Sequence, residues 1–549
     1  MSADAWWKNG IVYQIYPRSF QDSDGDGIGD LSGIRGRLDY LTGLGIDAVW
    51  ISPIYPSPMA DFGYDISDYC GVDPRFGTLD DFDALVVDMK ARGLKLILDF
   101  VPNHTSDRNA WFAQSRSDTS NPKREWYLWR DPAPDGGPPN NWLSNFGGPA
   151  WTFDAASGQY YGHSFLKEQP DLNWRNPEVR AAMYEVLRFW LRRGVDGFRV
   201  DVLYHLIKDD QFRDNPLNPD YLPGEDTSHR VLPLYTTDRP EMQDIVVEMR
   251  RVVDEFSDAQ SARVLIGELY LPLPRLMAYY GHNADGMLQG VQLPFNFQLI
   301  SAQWQAGGID RMVREYEAAL PPGAAPNWVP GNHDKPRIAS RVGPQQARLA
   351  AMLLLTLRGT PTLYYGDEIG MTDVPIPVDE VHDPFEKNEP GKGLGRDPQR
   401  TPMQWSRAHG AGFTTGAPWL RLADDWRECN VEALIGDDRS MLALYRRLIA
   451  LRRSEAALHE GHYEPIEVAA DVMAYARVDA SSLAAAGAAR RLVVLLNFGA
   501  AQVRVPSALL PADSIVLCST VKDRDGTAAT PLTLRAGEGV IVGSAALSG

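Results

Sequence analysis

Eight short apolar runs, rich in β-branched and aromatic residues, recur along the first two thirds of the chain with helix-period sequence between them. They are Ile11–Tyr16, Ala48–Ile51, Leu94–Val101, Gly194–Val202, Val264–Glu268, a weaker one near Leu288–Leu293, Trp328–Asp334 and Thr360–Glu368. Runs that are apolar on both faces suit buried parallel strands, because helices cover a parallel sheet on each side. Eight β-then-α units over about 440 residues predict a (β/α)8 barrel with long loops.

In such a barrel the C-terminal strand ends form one rim, and chemistry is placed there. Charge collects at these ends: Asp99 and His104 after the third run, Arg199 and Asp201 in the fourth, Glu268 at the fifth, His333 and Asp334 at the seventh. Arg199 and Asp201 are two apart, so strand period puts both on one face. Unpaired, they would be costly to bury. A structural ion pair explains an isolated Arg-x-Asp as well as a site does; the recurrence of charge at other strand ends favours a functional rim.

The rhythm breaks twice. Residues 104–174, rich in Pro, Gly, Asn and Trp (Trp111, Trp126, Trp129, Trp142, Trp151, Trp174), read as an insertion subdomain after strand three, most of whose aromatics form its own small core. Residues 370–430 are irregular, and a helix at Met441–Arg453 then closes the barrel. The barrel thus occupies 1–103 and 175–459. Residues 460–549 read as an antiparallel β domain, with strands at Leu492–Leu496, Ile515–Leu517 and Gly539–Val542 and an Ala-rich loop near 483–489.

A net charge of −18 and a pI near 5.0 argue against nucleic acid or an anionic membrane as partner. The N-terminus has no basic segment followed by an apolar one, and the apolar run at Met352–Leu355 is too short to span a bilayer. The three cysteines, Cys70, Cys429 and Cys518, show no metal or redox spacing, which points to reduced thiols and a cytoplasmic setting. Gly391-Lys392 lacks the rest of a phosphate loop, and no GxSxG occurs.

Between Asp22 and Asp30, carboxylates at alternate positions with glycines between them suit one hard divalent cation, Ca²⁺ or Mg²⁺. Without a cation they would repel one another. Position twelve of an EF-hand is Gly33 here and the flank reads as a strand, so the loop is not an EF-hand. It is expected away from the rim, where an ion would stabilise the fold.

Carboxylates facing one pocket raise one another's pKa, so one can stay protonated while its neighbour is ionised. Glycosidic-bond cleavage needs that division of labour. Four ordered motifs then stand out: Asp99-Phe100-Val101-Pro102-Asn103-His104, Gly197-Phe198-Arg199-Val200-Asp201, Gly267-Glu268 and Asn332-His333-Asp334. With them the chain resembles the α-amylase family, glycoside hydrolase family 13, in its α-glucosidase and oligo-1,6-glucosidase branch.

The resemblance implies Asp201 as nucleophile, Glu268 as general acid/base and Asp334 as transition-state stabiliser, with Arg199 lowering the pKa of Asp201. It implies His104, Arg199 and His333 on the glucosyl ring, and Asp61, Tyr64 and Arg400 closing the non-reducing end, Arg400 pairing with Asp61. Asp99 is read as a partner of these groups and not as a catalyst. His382, His409 and His462 are read as loop residues. In the acidic loop the implied ligands are the side chains of Asp22, Asp24, Asp26 and Asp30 and the Ile28 carbonyl. No organic cofactor is implied.

The expected activity is a retaining α-glucosidase acting on short α-glucosides of the maltose, isomaltose or sucrose type, as a monomer or homodimer. The alternative is a transglucosylase or sucrose isomerase using the same covalent intermediate. The arginine-rich, aromatic-flanked run of sucrose isomerases is missing after Asp334. Val202 is the residue type of α-1,6-acting relatives, whereas the loop Phe212–Pro240 departs from the oligo-1,6-glucosidase pattern. Non-enzymatic relatives that partner membrane transporters carry a membrane helix and lack the full carboxylate set, unlike this chain.

Overall fold

Each of the eight runs contributes a strand in the computed structural model, which describes residues 5–258, 261–479 and 490–544. The strands are β1 (Val12–Ile15), β2 (Ala48–Ile51), β3 (Lys95–Phe100), β4 (Gly197–Val200), β5 (Val264–Gly267), β6 (Leu293–Asn296), β7 (Asn327–Trp328) and β8 (Thr360–Tyr364). They pair in sequence order around a closed barrel, every pairing parallel. Alternate residues fill its interior, among them Val12, Trp50, Ile97, Val264, Ile266, Phe295 and Val329. The others pack on the surrounding helices in the main core.

Local chemistry sets the helices between strands. In Leu79–Ala91, Thr78 and Asp81 form a capping box. In Pro177–Arg192, Asn176 caps the N-terminus, Pro177 opens the first turn, and Val179, Met183, Val186, Leu187, Trp190 and Leu191 form a buried stripe. Each such side chain contributes roughly 2 kcal/mol. Gly194, at φ +99°, turns the chain into β4, and a Cβ there would meet the Lys90 Nζ at 2.3 Å.

One strand is displaced from its expected place. β6 begins at Leu293, where the sequence pattern ended, because Gly290 packs so tightly that a Cβ would lie 2.0 Å from the Tyr279 carbonyl. Pro294 and Asn296 inside β6 also weaken its strand signal.

The insertion holds a three-stranded antiparallel sheet of Trp129–Arg130, Gln159–Gly162 and Trp151–Asp154. Trp126, Trp129, Trp142, Trp151 and Trp174 are buried, with Trp111 partly so. The helix after β8, Met441–Ser454, packs on Pro344–Thr356 and Leu38–Leu44. The C-terminal sheet consists of β9 (His462–Ala469), β10 (Val472–Asp479), β11 (Arg490–Asn497), β12 (Ser514–Ser519) and β13 (Gly539–Ser544), in the order β9-β10-β11-β13-β12. Its pairings are antiparallel. The Ala-rich loop near 483–489 falls outside the described residues. Among these, no helix is long and apolar enough to cross a membrane.

Candidate active site

The register of β3, β4 and β5 sets Asp99 beside Arg199 and Arg199 beside Ile266, one residue pair short of Glu268. The wholly buried Arg199 becomes the hub. Its Nη1 donates to Asp99 Oδ1 at 2.8 Å and to Asp201 Oδ1 at 2.7 Å, while Nη2 lies 2.6 Å from Glu268 Oε2. One guanidinium therefore serves three buried carboxylates.

Burial raises all three carboxylates above their ordinary range, Asp99 to about 6, and Arg199 opposes the shift in each case. The expectation that Arg199 would keep the Asp201 pKa low is overturned. Burial outweighs the guanidinium, and Glu268, Asp99 and Asp334 push Asp201 further upward. Glu268 and Asp201 share the Arg199 guanidinium and Glu268 pushes Asp201 upward, so the two titrate as a unit that retains a proton.

Val202 helps to fix this pair. Its φ of +35° is left-handed, an uncommon conformation for a β-branched residue. Its N–H donates to Glu268 Oε2 at 2.8 Å.

Asp334 behaves differently. Burial alone would raise it, but His333 and the cations Arg400, Arg396 and Arg199 hold it far below the ordinary carboxylate range. Arg400 Nη2 is 2.9 Å and Arg396 Nη1 3.5 Å from Asp334 Oδ1. The ring of His333 is stacked between Tyr64, at 5.4 Å, and Tyr16, at 5.7 Å. Its nitrogens meet Gln14 Nε2 at 2.8 Å and the Tyr64 hydroxyl at 2.7 Å. Burial pushes His333 well below its usual pKa and His104 to about 4, so both imidazoles are neutral. His104 Nε2 is held at 3.1 Å from the Tyr64 carbonyl oxygen.

The closed end differs from expectation. Asp61 pairs with Arg396, Nη2 to Oδ1 at 2.7 Å, and not with Arg400, whose Nε donates to the His333 carbonyl and whose Nη2 goes to Asp334. A 3-10 turn at Asp397–Gln399 brings both arginines to the pocket, four residues apart. Arg396 also binds Asp383 at 2.7 Å, and Gln169 Nε2 donates to Asp61 Oδ2 at 3.2 Å. Sequence reasoning missed Arg396, Asp383 and Gln169. The run Arg396-Asp397-Pro398-Gln399-Arg400 offered two arginines, and nothing in their spacing says which meets Asp61.

The acidic loop brings carboxylate oxygens of Asp22, Asp24 and Asp30 within 4.8 Å of one another. Asp26 is not among them; its Oδ1 accepts the Ile28 N–H at 2.7 Å. Three converging hard oxygens fit a divalent cation. The loop is flanked by the helices Pro17–Phe20 and Leu31–Gly36, not by a strand, because Asp30 caps the second through the Gly33 N–H. It follows β1 and so belongs to the rim side, not away from it. Its outer partners are Phe413, Thr414 and Trp419 of the connection after β8, and not the acidic residues of the pocket. His382 and His409 are exposed loop residues, whereas His462 opens β9.

The family whose profile matches residues 14–461 is described as alpha amylase, catalytic domain. An α-glucosidase of Culex pipiens is 42% identical over 482 residues, covering 86% of this chain and 80% of that protein. An oligo-1,6-glucosidase of Halalkalibacterium halodurans is 39% identical over 516 residues, covering 86% and 88%. Among solved structures, an α-glucosyl transfer enzyme superposes with a TM-score of 0.88 at 39% identity, covering 98% of this chain and 99% of that one. The isomaltulose synthase of Erwinia rhapontici gives 0.87 at 35%, covering 99% and 100%.

Proposed function

The chain belongs to the α-amylase family and is a glycoside hydrolase, and we propose that it is a retaining α-glucosidase removing terminal glucosyl units from short α-glucosides. The observation that carries the reading is the pairing of Asp201 and Glu268 on one guanidinium. An inverting pair stands roughly 6.5–9.5 Å apart to admit a water, whereas a retaining pair stands at about 5–5.5 Å. Two carboxylates held on one guanidinium favour the closer of these spacings.

Ionised Asp201 attacks the anomeric carbon as Glu268 gives its proton to the departing glycosidic oxygen. The glycosidic bond breaks, and the new ester bond to Asp201 holds the glucosyl unit. Water then attacks the same carbon, Glu268 takes its proton, and the ester bond breaks to free glucose and Asp201. Asp334, kept ionised by Arg400 and Arg396, grips ring hydroxyls most strongly as positive charge develops. His104 and His333 hydrogen-bond the ring, with Tyr64 against its face. Asp61 and Arg396 close the far end, which supports release of one sugar at a time.

A sugar hydroxyl can replace water in the second step. The solved relatives named for glucosyl transfer and isomaltulose synthesis support transfer as a second activity. Val202 supports α-1,6-linked substrates. Maltose, isomaltose, sucrose and trehalose, incubated separately at low and high concentration, test these readings by chromatography and NMR. With sucrose, whose leaving sugar is fructose, the glucose released is expected first as the α-anomer, with oligosaccharides appearing at high substrate. Initial β-glucose from sucrose would overturn the retaining mechanism.

We also propose that Asp22, Asp24 and Asp30, with the Ile28 carbonyl, hold one structural Ca²⁺ or Mg²⁺, neutralising a crowded acidic turn. Asp26 stays nearby as part of the loop's hydrogen bonding. Chelation is expected to lower the melting temperature, and re-addition of the ion to restore it. An unchanged melting temperature in ion-free protein would remove this proposal.

A further inference from the structure

In the closed ring of strands, β4 and β8 stand four places apart, on opposite sides of the barrel. The connections that follow them nevertheless meet. Thr227 Oγ1, after β4, donates to Glu389 Oε1, after β8, at 2.6 Å. Lys392 pairs with Glu389 Oε2 and donates from Nζ to the Glu225 carbonyl oxygen at 2.8 Å. Both segments leave the rim side of the barrel, so the point where they meet borders its mouth.

The insertion after β3 reaches the same point. Asn388 Nδ2 donates to the Phe146 carbonyl oxygen at 3.1 Å, and the Phe146 and Phe385 rings lie 5.0 Å apart. Gly147 approaches so closely that a Cβ would lie 2.4 Å from Glu389 Oε1. Glu389, itself buried, is where three connections converge. It touches none of Asp201, Glu268 or Asp334 among its hydrogen bonds and ion pairs.

On one side of this bridge the pocket is shut by Asp61, Arg396 and Asp383. Asp334, which touches that end through Arg396, keeps 22% of its side chain exposed, against 8% for Asp201 and 5% for Glu268. The pocket is therefore most open to solvent beside Asp334, which follows β7.

We infer that Glu389 is a specificity-determining residue, whose clasp with Thr227 and Lys392 fixes the width of the mouth and so the number of sugar units accommodated beyond the cleaved bond. The inference rests on the α-glucosidase reading. Glu389 accepts from a hydroxyl and an ammonium at once, so its loss releases both connections and leaves Lys392 without its charge partner. Between the connections after β4 and β8 the Lys392 contact to the Glu225 carbonyl then remains, while Asn140 and Asn141 still tie the first of them to the insertion.

The test compares kcat/KM for maltose, maltotetraose and p-nitrophenyl α-glucoside in wild type, Glu389→Ala, Thr227→Val and the double variant. Glu389→Ala should raise the maltotetraose-to-maltose ratio roughly 3-fold or more while the small aryl glucoside changes far less. Thr227→Val should move the ratio the same way by less. The double variant should match Glu389→Ala, because the clasp is already open. An unchanged ratio in active, folded variants overturns the inference, and so does an equal loss on all three substrates. A wild-type protein inert towards every α-glucoside would instead defeat the parent reading.

Discussion

Arg199 shows how a single buried cation can organise a reaction. Its two terminal nitrogens hold Asp99, Asp201 and Glu268 within 2.8 Å, and three carboxylates against one guanidinium leave an excess of negative charge. The cluster relieves that excess by keeping a proton, which is what an acid catalyst beside a nucleophile needs. The sign of the pH dependence follows. Glu268 must be protonated for the first step, and its raised pKa preserves the proton to higher pH than an ordinary glutamate would. Activity is therefore lost as pH rises and the pair gives up its last proton, and on the acid side as the pair takes up a second one. With an activated substrate needing no protonation of its leaving group, Glu268→Gln should lose the alkaline limb and accumulate a glucosyl adduct on Asp201. Mass spectrometry of the intact protein checks this, and no adduct would count against both roles. Asp201→Asn should lower kcat by about 10³-fold or more while circular dichroism stays native. These residues were legible because each ends an apolar strand, where a charge stands out against its surroundings. Asp383 and Gln169 lie in irregular sequence without such contrast, and nothing marked them.

At the scale of elements, the strands betrayed themselves because burial on both faces restricts them to a narrow set of residues. The connections carry no period. That is why β1–β5 were readable nearly to their ends while the Asp61 pairing was expected of Arg400 and belongs to Arg396. The distinction between those two arginines has kinetic consequences. Arg396 holds Asp61 and Asp383 with a forked guanidinium, which a lysine cannot reproduce. Arg400 instead reaches Asp334 and the His333 backbone. Arg396→Lys is thus expected to loosen the sealed end, raising KM for maltose by roughly 10-fold with a smaller effect on kcat. Arg400→Lys should act mainly on kcat, through Asp334. Steady-state kinetics on maltose separate the two, and the opposite pattern would mean that Arg400 is the substrate-facing residue.

For the molecule as a whole, what joins the barrel to its C-terminal sheet was invisible in the sequence. Arg477 lies inside β10, in a stretch that reads simply as an apolar strand, and Arg452 lies in the last turn of the helix after β8. Both are buried, and among the described residues neither has a carboxylate within 4.0 Å. Their partners are carbonyl oxygens: Leu355, Leu357, Leu458 and Gly359 for Arg452, and Ala457 and Gly461 for Arg477. Several of these end the helices Pro344–Thr356 and Ala456–His459, where the helix dipole is negative and carbonyls lack an intrahelical donor. Burial lowers Arg452 to about 9 and Arg477 to about 10, and the carbonyl oxygens offset enough of that cost for both to stay charged at neutral pH, which is how a chain of net charge −18 can bury arginines away from its acids. Arg477→Met would keep the apolar packing of the stem but strand two carbonyls at the junction. At about 1–3 kcal/mol for each unsatisfied group, less the relief of burying one charge fewer, a net loss of roughly 2 kcal/mol is expected. For a chain of this size that lowers the melting temperature by roughly 2 °C. Since Arg477 is remote in the fold from the strand ends that carry Asp201 and Glu268, kcat/KM below the transition should not move. Differential scanning calorimetry alongside kinetics decides the matter: an unaltered transition would mean that the sheet is fastened to the barrel by its apolar contacts alone.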